Sequence, residues 1–234
     1  MNTASPLPVK TTDNPSRRAA PFKEIVKIEQ LKIGPMDNFS YLLWDETVKE
    51  AAVIDPAWEP EKIEAALSAN GLALKLVLLT HAHPDHVNAL GSLAKNRPAL
   101  PVYLHEADFF MLEEKPLNLH KAQDGALLTA CGLEIKVIHT PGHTPGSVCY
   151  LTPEAVFTGD TLFIGECGRV DLPGSSAEAL YGSLRRLAGL AQETLMYPGH
   201  SYNGDASTMG AQKEYNDYLR LCMGDKAAFL RALL

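Results

Sequence analysis

The sequence has no apolar run approaching the roughly 20 residues needed to cross a bilayer, so neither a spanning helix nor a membrane partner is expected. It has no basic excess. The formal net charge is −7, which sets nucleic acid and anionic membrane surfaces aside as partners, because both select basic patches. There is no CxxC pair: Cys131, Cys149, Cys167 and Cys222 stand far apart. That excludes a zinc knuckle and a dithiol redox motif, and fits reduced, mostly buried thiols of a cytoplasmic protein. Cys167 differs in lying within a glycine-rich loop. The first residues carry no apolar signal-peptide core, and no linker or low-complexity stretch divides the rest.

What is there is ordinary in bulk and organised in detail. Hydrophobic residues make up 46% of the 234, and charged residues 21%, enough for one large buried core. Residues 1–21, rich in Pro, Thr, Ser, Asn and Arg, read as a disordered or loosely docked arm. Residues 22–234 read as a single domain. Alternating apolar residues place strands at 25–33, 39–44 and 50–54, and a 3.6-residue period with Gly71 as C-cap places a helix at 60–70. A strand over 75–80 leads to a helix over 87–94. A short strand at 101–104, a short helix at 105–112 and a polar crossover at 115–122 follow. Strands recur at 126–129, 133–139, 147–151 and 155–157. The closing elements are a helix at 175–187, a strand at 193–197, and helices at 207–221 and 226–233. This order predicts an α/β fold of αββα layering, two mixed sheets face to face with helices outside.

The chemistry concentrates at Thr80-His81-Ala82-His83-Pro84-Asp85-His86, where a buried strand hands over to a helix. Three imidazoles and a carboxylate so closely spaced call for a shared partner, and neutral imidazole is the commonest metal ligand. His81 and His83, two apart, can converge on one ion, while Asp85 and His86 reach a second. Three other segments end a strand in a tight glycine turn bearing a ligand-type residue. They are Pro141-Gly142-His143-Thr144, Thr158-Gly159-Asp160-Thr161 and Pro198-Gly199-His200. Each alone is equally well an ordinary turn residue. Together they bring the inventory to five imidazoles and two carboxylates, enough for two adjacent sites sharing one carboxylate. His105 and His120 lack this pattern and suit surface or capping roles. His139 suits either a packed strand end or support of a ligand.

These motifs, HxHxDH at 81–86, PGHT at 141–144, GDTLF at 159–163 and PGH at 198–200, resemble the metallo-β-lactamase superfamily in kind and in order. The resemblance implies that His81, His83 and His143 hold one metal, that Asp85, His86 and His200 hold the other, and that Asp160 bridges them. Asp85 and Asp160 are then the catalytic carboxylates. Two divalent ions, zinc first with iron or manganese as the other candidates, would ready a shared hydroxide at neutral pH and polarise the carbonyl it attacks.

Within the superfamily the chain looks closest to the glyoxalase II-like branch, which hydrolyses thioesters of glutathione and similar thiols. Arg169 matches a basic position that contacts the thiol carrier in that branch, and Tyr202 a tyrosine after the last ligand His. The small-molecule substrate is therefore expected to be an anionic thiol conjugate. Gly168-Arg169-Val170-Asp171-Leu172 also resembles the corresponding loop of persulfide dioxygenases, where a single iron would use His81, His143 and Asp160. A non-catalytic metal-binding module is the third reading. A homo-oligomer is left open.

Overall fold

The computed structural model describes residues 9–10 and 26–233. Val9–Lys10 form β1. An antiparallel meander follows, β2 (Val26–Ile33), β3 (Asn38–Asp45) and β4 (Glu50–Ile54). Helix α1 (Pro60–Ala69) opens on Pro60, whose missing N–H leaves no helical bond unmade in the first turn. It returns the chain to β5 (Ala73–Leu78), parallel to β4. Two short helices, α2 (Pro84–Val87) and α3 (Leu90–Lys95), lead to β6 (Val102–Leu104), and a 3-10 segment, Glu106–Met111, leads to β7 (Leu119–Lys121). The second half begins with β8 (Leu127–Ala130), β9 (Leu133–His139), β10 (Val148–Leu151) and β11 (Ala155–Gly159). Helix α4 (Ala177–Ala188), capped by Ser176, then crosses to β12 (Leu195–Pro198), parallel to β11. The chain closes with β13 (Ser207–Thr208), α5 (Met209–Tyr215), α6 (Asp217–Met223) and α7 (Lys226–Leu233).

One sheet runs β2-β3-β4-β5-β6-β7 and the other β1-β8-β9-β10-β11-β12-β13. Successive side chains on a strand face opposite ways, and three apolar clusters result. Phe39, Tyr41 and Leu43 from the first sheet meet Ile135, Val137, Tyr150 and Phe157 from the second. On the outer face of the first sheet, Leu42, Val53 and Val77 pack under Ile63, Leu67, Leu90 and Leu93. On the outer face of the second, Val156 and Met196 lie under Leu180, Leu184, Leu219 and Phe229. The αββα sandwich is thus written in the strand alternation, with each large apolar side chain contributing about 1.5–3 kcal/mol when fully buried.

Four expectations are corrected. The helix read over 87–94 is two short pieces, and 105–112 coils as a 3-10 segment with His105 as its cap. The crossover at 115–122 contains β7, whose backbone completes the sheet beside β6. The helix read over 207–221 breaks at Asn216, whose extended backbone frees its side chain to accept from Leu219 N and donate to Glu166 O. Of the N-terminal arm, only Val9–Lys10 fall among the described residues, pairing antiparallel with β8; the rest lies outside them. No described helix is long and apolar enough to cross a membrane.

The parallel connections carry the consequence for chemistry. β4, β5, β11 and β12 all deliver their carboxyl ends to one rim of the sandwich, where loops are free to carry polar groups.

Candidate metal centre

Each predicted ligand leaves a strand end at that rim. His81 follows β5, His83 immediately precedes α2, and Asp85 and His86 lie within it. His143 sits in the β9–β10 loop, Asp160 directly after β11, and His200 two residues after β12. All seven meet. His83 Nδ1 lies 2.9 Å from His143 Nε2, and His86 Nε2 lies 3.1 Å from His200 Nε2. Asp160 stands between the two groups, with Oδ2 3.5 Å from His143 Nε2 and 3.4 Å from His200 Nε2, and Oδ1 3.3 Å from His86 Nε2. Asp85 Oδ2 is 3.4 Å from both His86 Nε2 and His200 Nε2. Among the described residues three triads could hold an ion, His81/His83/His143, Asp85/His86/His200 and Asp55/His81/His86, each with ligand atoms within 4.8 Å of one another.

The outer ring nitrogens decide which way the lone pairs face. His86 Nδ1 is 3.1 Å from Asp55 Oδ2, His143 Nδ1 is 3.0 Å from the Arg169 carbonyl, and His200 Nδ1 is 2.8 Å from the Met36 carbonyl. Each acceptor lacks a proton, so each Nδ1 donates. The Thr80 hydroxyl gives its one proton to Asp55 Oδ2 at 2.6 Å, so His81 Nδ1, 3.0 Å from Thr80 Oγ1, must donate as well. Four Nε2 lone pairs therefore point inward. Facing acceptors about 3 Å apart repel unless a proton or a cation lies between them. His81 Nε2 is buried without any hydrogen-bond partner, and Asp160 Oδ1 has no well-directed one. The donor set fits a cation.

Electrostatics agree. Burial pushes the His81 and His83 imidazoles down, His83 to about 4, with neighbouring imidazoles adding to the effect. Burial also opposes charge on His86 and His200, but the adjoining carboxylates outweigh it, raising His86 and lifting His200 to about 9. For Asp85 and Asp160, burial favours the neutral acid, yet the surrounding imidazoles hold both well below the usual carboxylate range. Without a cation the pocket keeps protons on one triad, and a bound divalent ion replaces them.

Sequence reasoning missed the residues that hold this geometry. Asp55, fully buried at the end of β4, accepts from Thr80 N at 2.7 Å as well as from the Thr80 hydroxyl and His86. It shares the strand-end pattern of the ligands, so a signal existed. Asp108 does not. Its carboxylate accepts from Thr144 Oγ1 and Gly146 N, both at 2.7 Å, and from the backbone of Ala82, tying the His143 loop to the His81–His83 turn. Asn38, completely buried, gives Nδ2 to Asp85 Oδ2 at 2.8 Å.

Arg169 and Tyr202 flank the cluster. Tyr202 stacks on the His200 ring with centroids 4.8 Å apart and planes 10° apart. Arg169, 63% exposed, forms a bidentate pair with Asp171 at 2.6 and 2.7 Å. Of the remaining histidines, His105 and His139 stack on one another at 3.9 Å, and His120 stacks on Tyr103. The four cysteines are free, and burial pushes the Cys167 thiol up.

A family model described as the metallo-beta-lactamase superfamily matches residues 33–200, from the end of β2 through His200. The chain belongs to that superfamily. A probable polyketide biosynthesis zinc-dependent hydrolase, BaeB of Bacillus velezensis, is 38% identical over 166 residues, covering 70% of this chain and 73% of the relative. The hydroxyacylglutathione hydrolase GloC of Haemophilus influenzae is 32% identical over 212 residues, covering 83% of this chain and 98% of its own. The crystal structure of ETHE1 from Myxococcus xanthus superposes with a TM-score of 0.79 at 30% identity, covering 88% of this chain and 89% of that one. The protein is thus an enzyme of a metallo-hydrolase superfamily, and its His/Asp cluster has the donors that divalent-metal chemistry requires.

Proposed function

We propose that the protein is a thioester hydrolase of the glyoxalase II type with a binuclear, zinc-preferring centre. The observation that carries this is the pair of triads with the Asp160 carboxylate between them. His81, His83 and His143 would hold one ion, Asp85, His86 and His200 the second, and Asp160 both. Such a pair supplies a hydroxide at neutral pH and an electrophile for the carbonyl under attack. The protein's own part is orientation: Asp55, Thr80 and the Arg169 and Met36 carbonyls fix the directions of four imidazole rings, each presenting Nε2 to the cluster. Asp85, which the surrounding imidazoles keep as a carboxylate, would steer the hydroxide at the second triad. Tyr202 and Arg169 would meet the thiol carrier, Arg169 after giving up Asp171. The near full-length match to a hydroxyacylglutathione hydrolase supports this substrate class, and a zinc-dependent hydrolase among the relatives supports the metal.

The second reading, a mononuclear-iron persulfide dioxygenase, uses the one subset His81, His143 and Asp160, and His143 and Asp160 lie in contact. Elemental analysis of the purified protein, with parallel assays on S-lactoylglutathione and glutathione persulfide, separates the two. Two zinc-like ions with thioester cleavage uphold the hydrolase. One iron per chain with thiol-dependent O2 uptake replaces it with the dioxygenase.

A further inference from the structure

The turn between β4 and α1 is strained at two non-glycine residues, Asp55 at φ 48° and Trp58 at φ 43°. A bulky side chain rarely tolerates the left-handed region, and such strain collects where a structure over-determines a functional group. Asp55 orients His86, as described above. Trp58 has no such assignment, yet the molecule holds it from three sides. Its backbone N–H donates to Asn88 Oδ1 at 2.5 Å. Its ring lies against Gly34, where a Cβ would fall 2.2 Å from Cδ1, so only glycine lets the β2–β3 turn approach. Its indole N–H donates to Asn38 Oδ1 at 2.8 Å.

That last bond determines the Asn38 amide. An indole N–H can only donate, so it selects the carbonyl oxygen of Asn38 and turns the NH2 the other way. The NH2 then meets Asp85 Oδ2 at 2.8 Å and lies 3.5 Å from His86 Nε2, while the Asn38 backbone bridges to His200. Asn38 therefore touches every member of the Asp85/His86/His200 triad. The circuit closes on itself: α2 carries Asp85 and His86, its C-cap Asn88 holds the Trp58 backbone, and Trp58 aims Asn38 back at Asp85. With the amide flipped, a carbonyl oxygen would face the carboxylate and push it from its place.

We infer that Trp58 is a positioning residue, which acts through the orientation of the Asn38 amide to hold Asp85 in ligating geometry and so tunes the cation affinity of the second triad. This rests on the ligand set given under Proposed function.

The test compares zinc affinity, by competition with a chromophoric chelator, and melting temperature for wild type, Trp58→Phe, Asn38→Leu, the double variant and Asp85→Ala. Trp58→Phe keeps a ring against Gly34 and removes the N–H. It is expected to weaken the more loosely held zinc about tenfold, the low end of the effect of a ligand's own hydrogen-bond partner, with the melting temperature of the metal-free protein nearly unchanged. Asn38→Leu should weaken it at least as much. The double variant should match Asn38→Leu alone, because an indole with no amide to orient has nothing left to contribute. Unchanged zinc affinity in Trp58→Phe, or multiplied losses in the double variant, overturns the inference. Should Asn38→Leu fail to fold, Trp58→Phe alone decides it. Asp85→Ala keeps the two proposals apart: if it leaves zinc affinity intact, the ligand set fails, whereas a loss there with none in Trp58→Phe removes only the positioning role.

Discussion

Replacing Asp55 by Asn tests most directly how the fold governs the centre. The carboxylate takes three donors: Thr80 N at 2.7 Å, Thr80 Oγ1 at 2.6 Å and His86 Nδ1 at 3.1 Å. Asparagine keeps the volume but has one acceptor oxygen, and its NH2 must take the place of either Oδ1 or Oδ2. In the Oδ1 place it faces the Thr80 N–H, donor against donor. In the Oδ2 place it faces both the Thr80 hydroxyl and His86 Nδ1, so the hydroxyl turns away, His81 loses its orientation, and the His86 ring gains by moving its proton to Nε2, which withdraws that lone pair from the cluster. One charge-assisted hydrogen bond goes in either case, about 1.5–3 kcal/mol. Loss of a ligand's supporting partner typically costs about 10–100-fold in metal affinity, equivalent to about 1.4–2.8 kcal/mol. Chelator competition on Asp55→Asn should show that drop, and thioester turnover should fall with it. A folded Asp55→Asn protein with wild-type metal affinity and full turnover would refute the tautomer argument.

Further outcomes follow from other parts of the site. With His86 raised and His200 lifted to about 9 in the cation-free state, zinc uptake at pH 7 should release protons, and apparent affinity should climb towards pH 9; titration calorimetry in buffers of different ionisation enthalpy reads this, and buffer-independent heats would contradict it. The same raised His200 stabilises the metal-free fold below about pH 6.5 and ceases to as pH passes about 9, so the metal-free melting temperature should decline across that window. Gly199→Ala places a Cβ 2.2 Å from Asp160 Oδ1 and 3.0 Å from His86 Cε1, so metal content and activity should drop about tenfold or more; full metal occupancy would show that Asp160 has room to move. Asp108→Ala strands the Gly146 and Ala82 amides and leaves the Thr144 hydroxyl only Ser147 Oγ, and urea denaturation should show a loss of about 2–4 kcal/mol. Asp171→Asn frees Arg169 from an exposed, solvent-screened pair that contributes little by itself, so KM for a glutathione thioester should fall a few fold; an equal effect on an uncharged thioester would remove Arg169 from carboxylate recognition.

The sequence alone determined the αββα layering and the inventory of the site. Strand alternation is a local property, since each residue's face follows from its neighbours, and the strand read over 39–44 puts Phe39, Tyr41 and Leu43 in one cluster and Leu42 and Trp44 in another once the sheets pack. The ligand-type residues were equally legible because each sits where a strand ends in a tight turn. Breaks at Asn216 and within 84–95, and the short strand β7, were not legible, because a helix pattern does not record where a side chain such as Asn216 finds better partners in a distant loop. Only the tertiary structure decided how the ligands are aimed. Asn38 reaches Asp85 across 47 positions, and Asp108 reaches Thr144 across 36. A hydrogen bond is specified by where two atoms meet in space, and the order of residues along the chain carries that only after the sheets have packed.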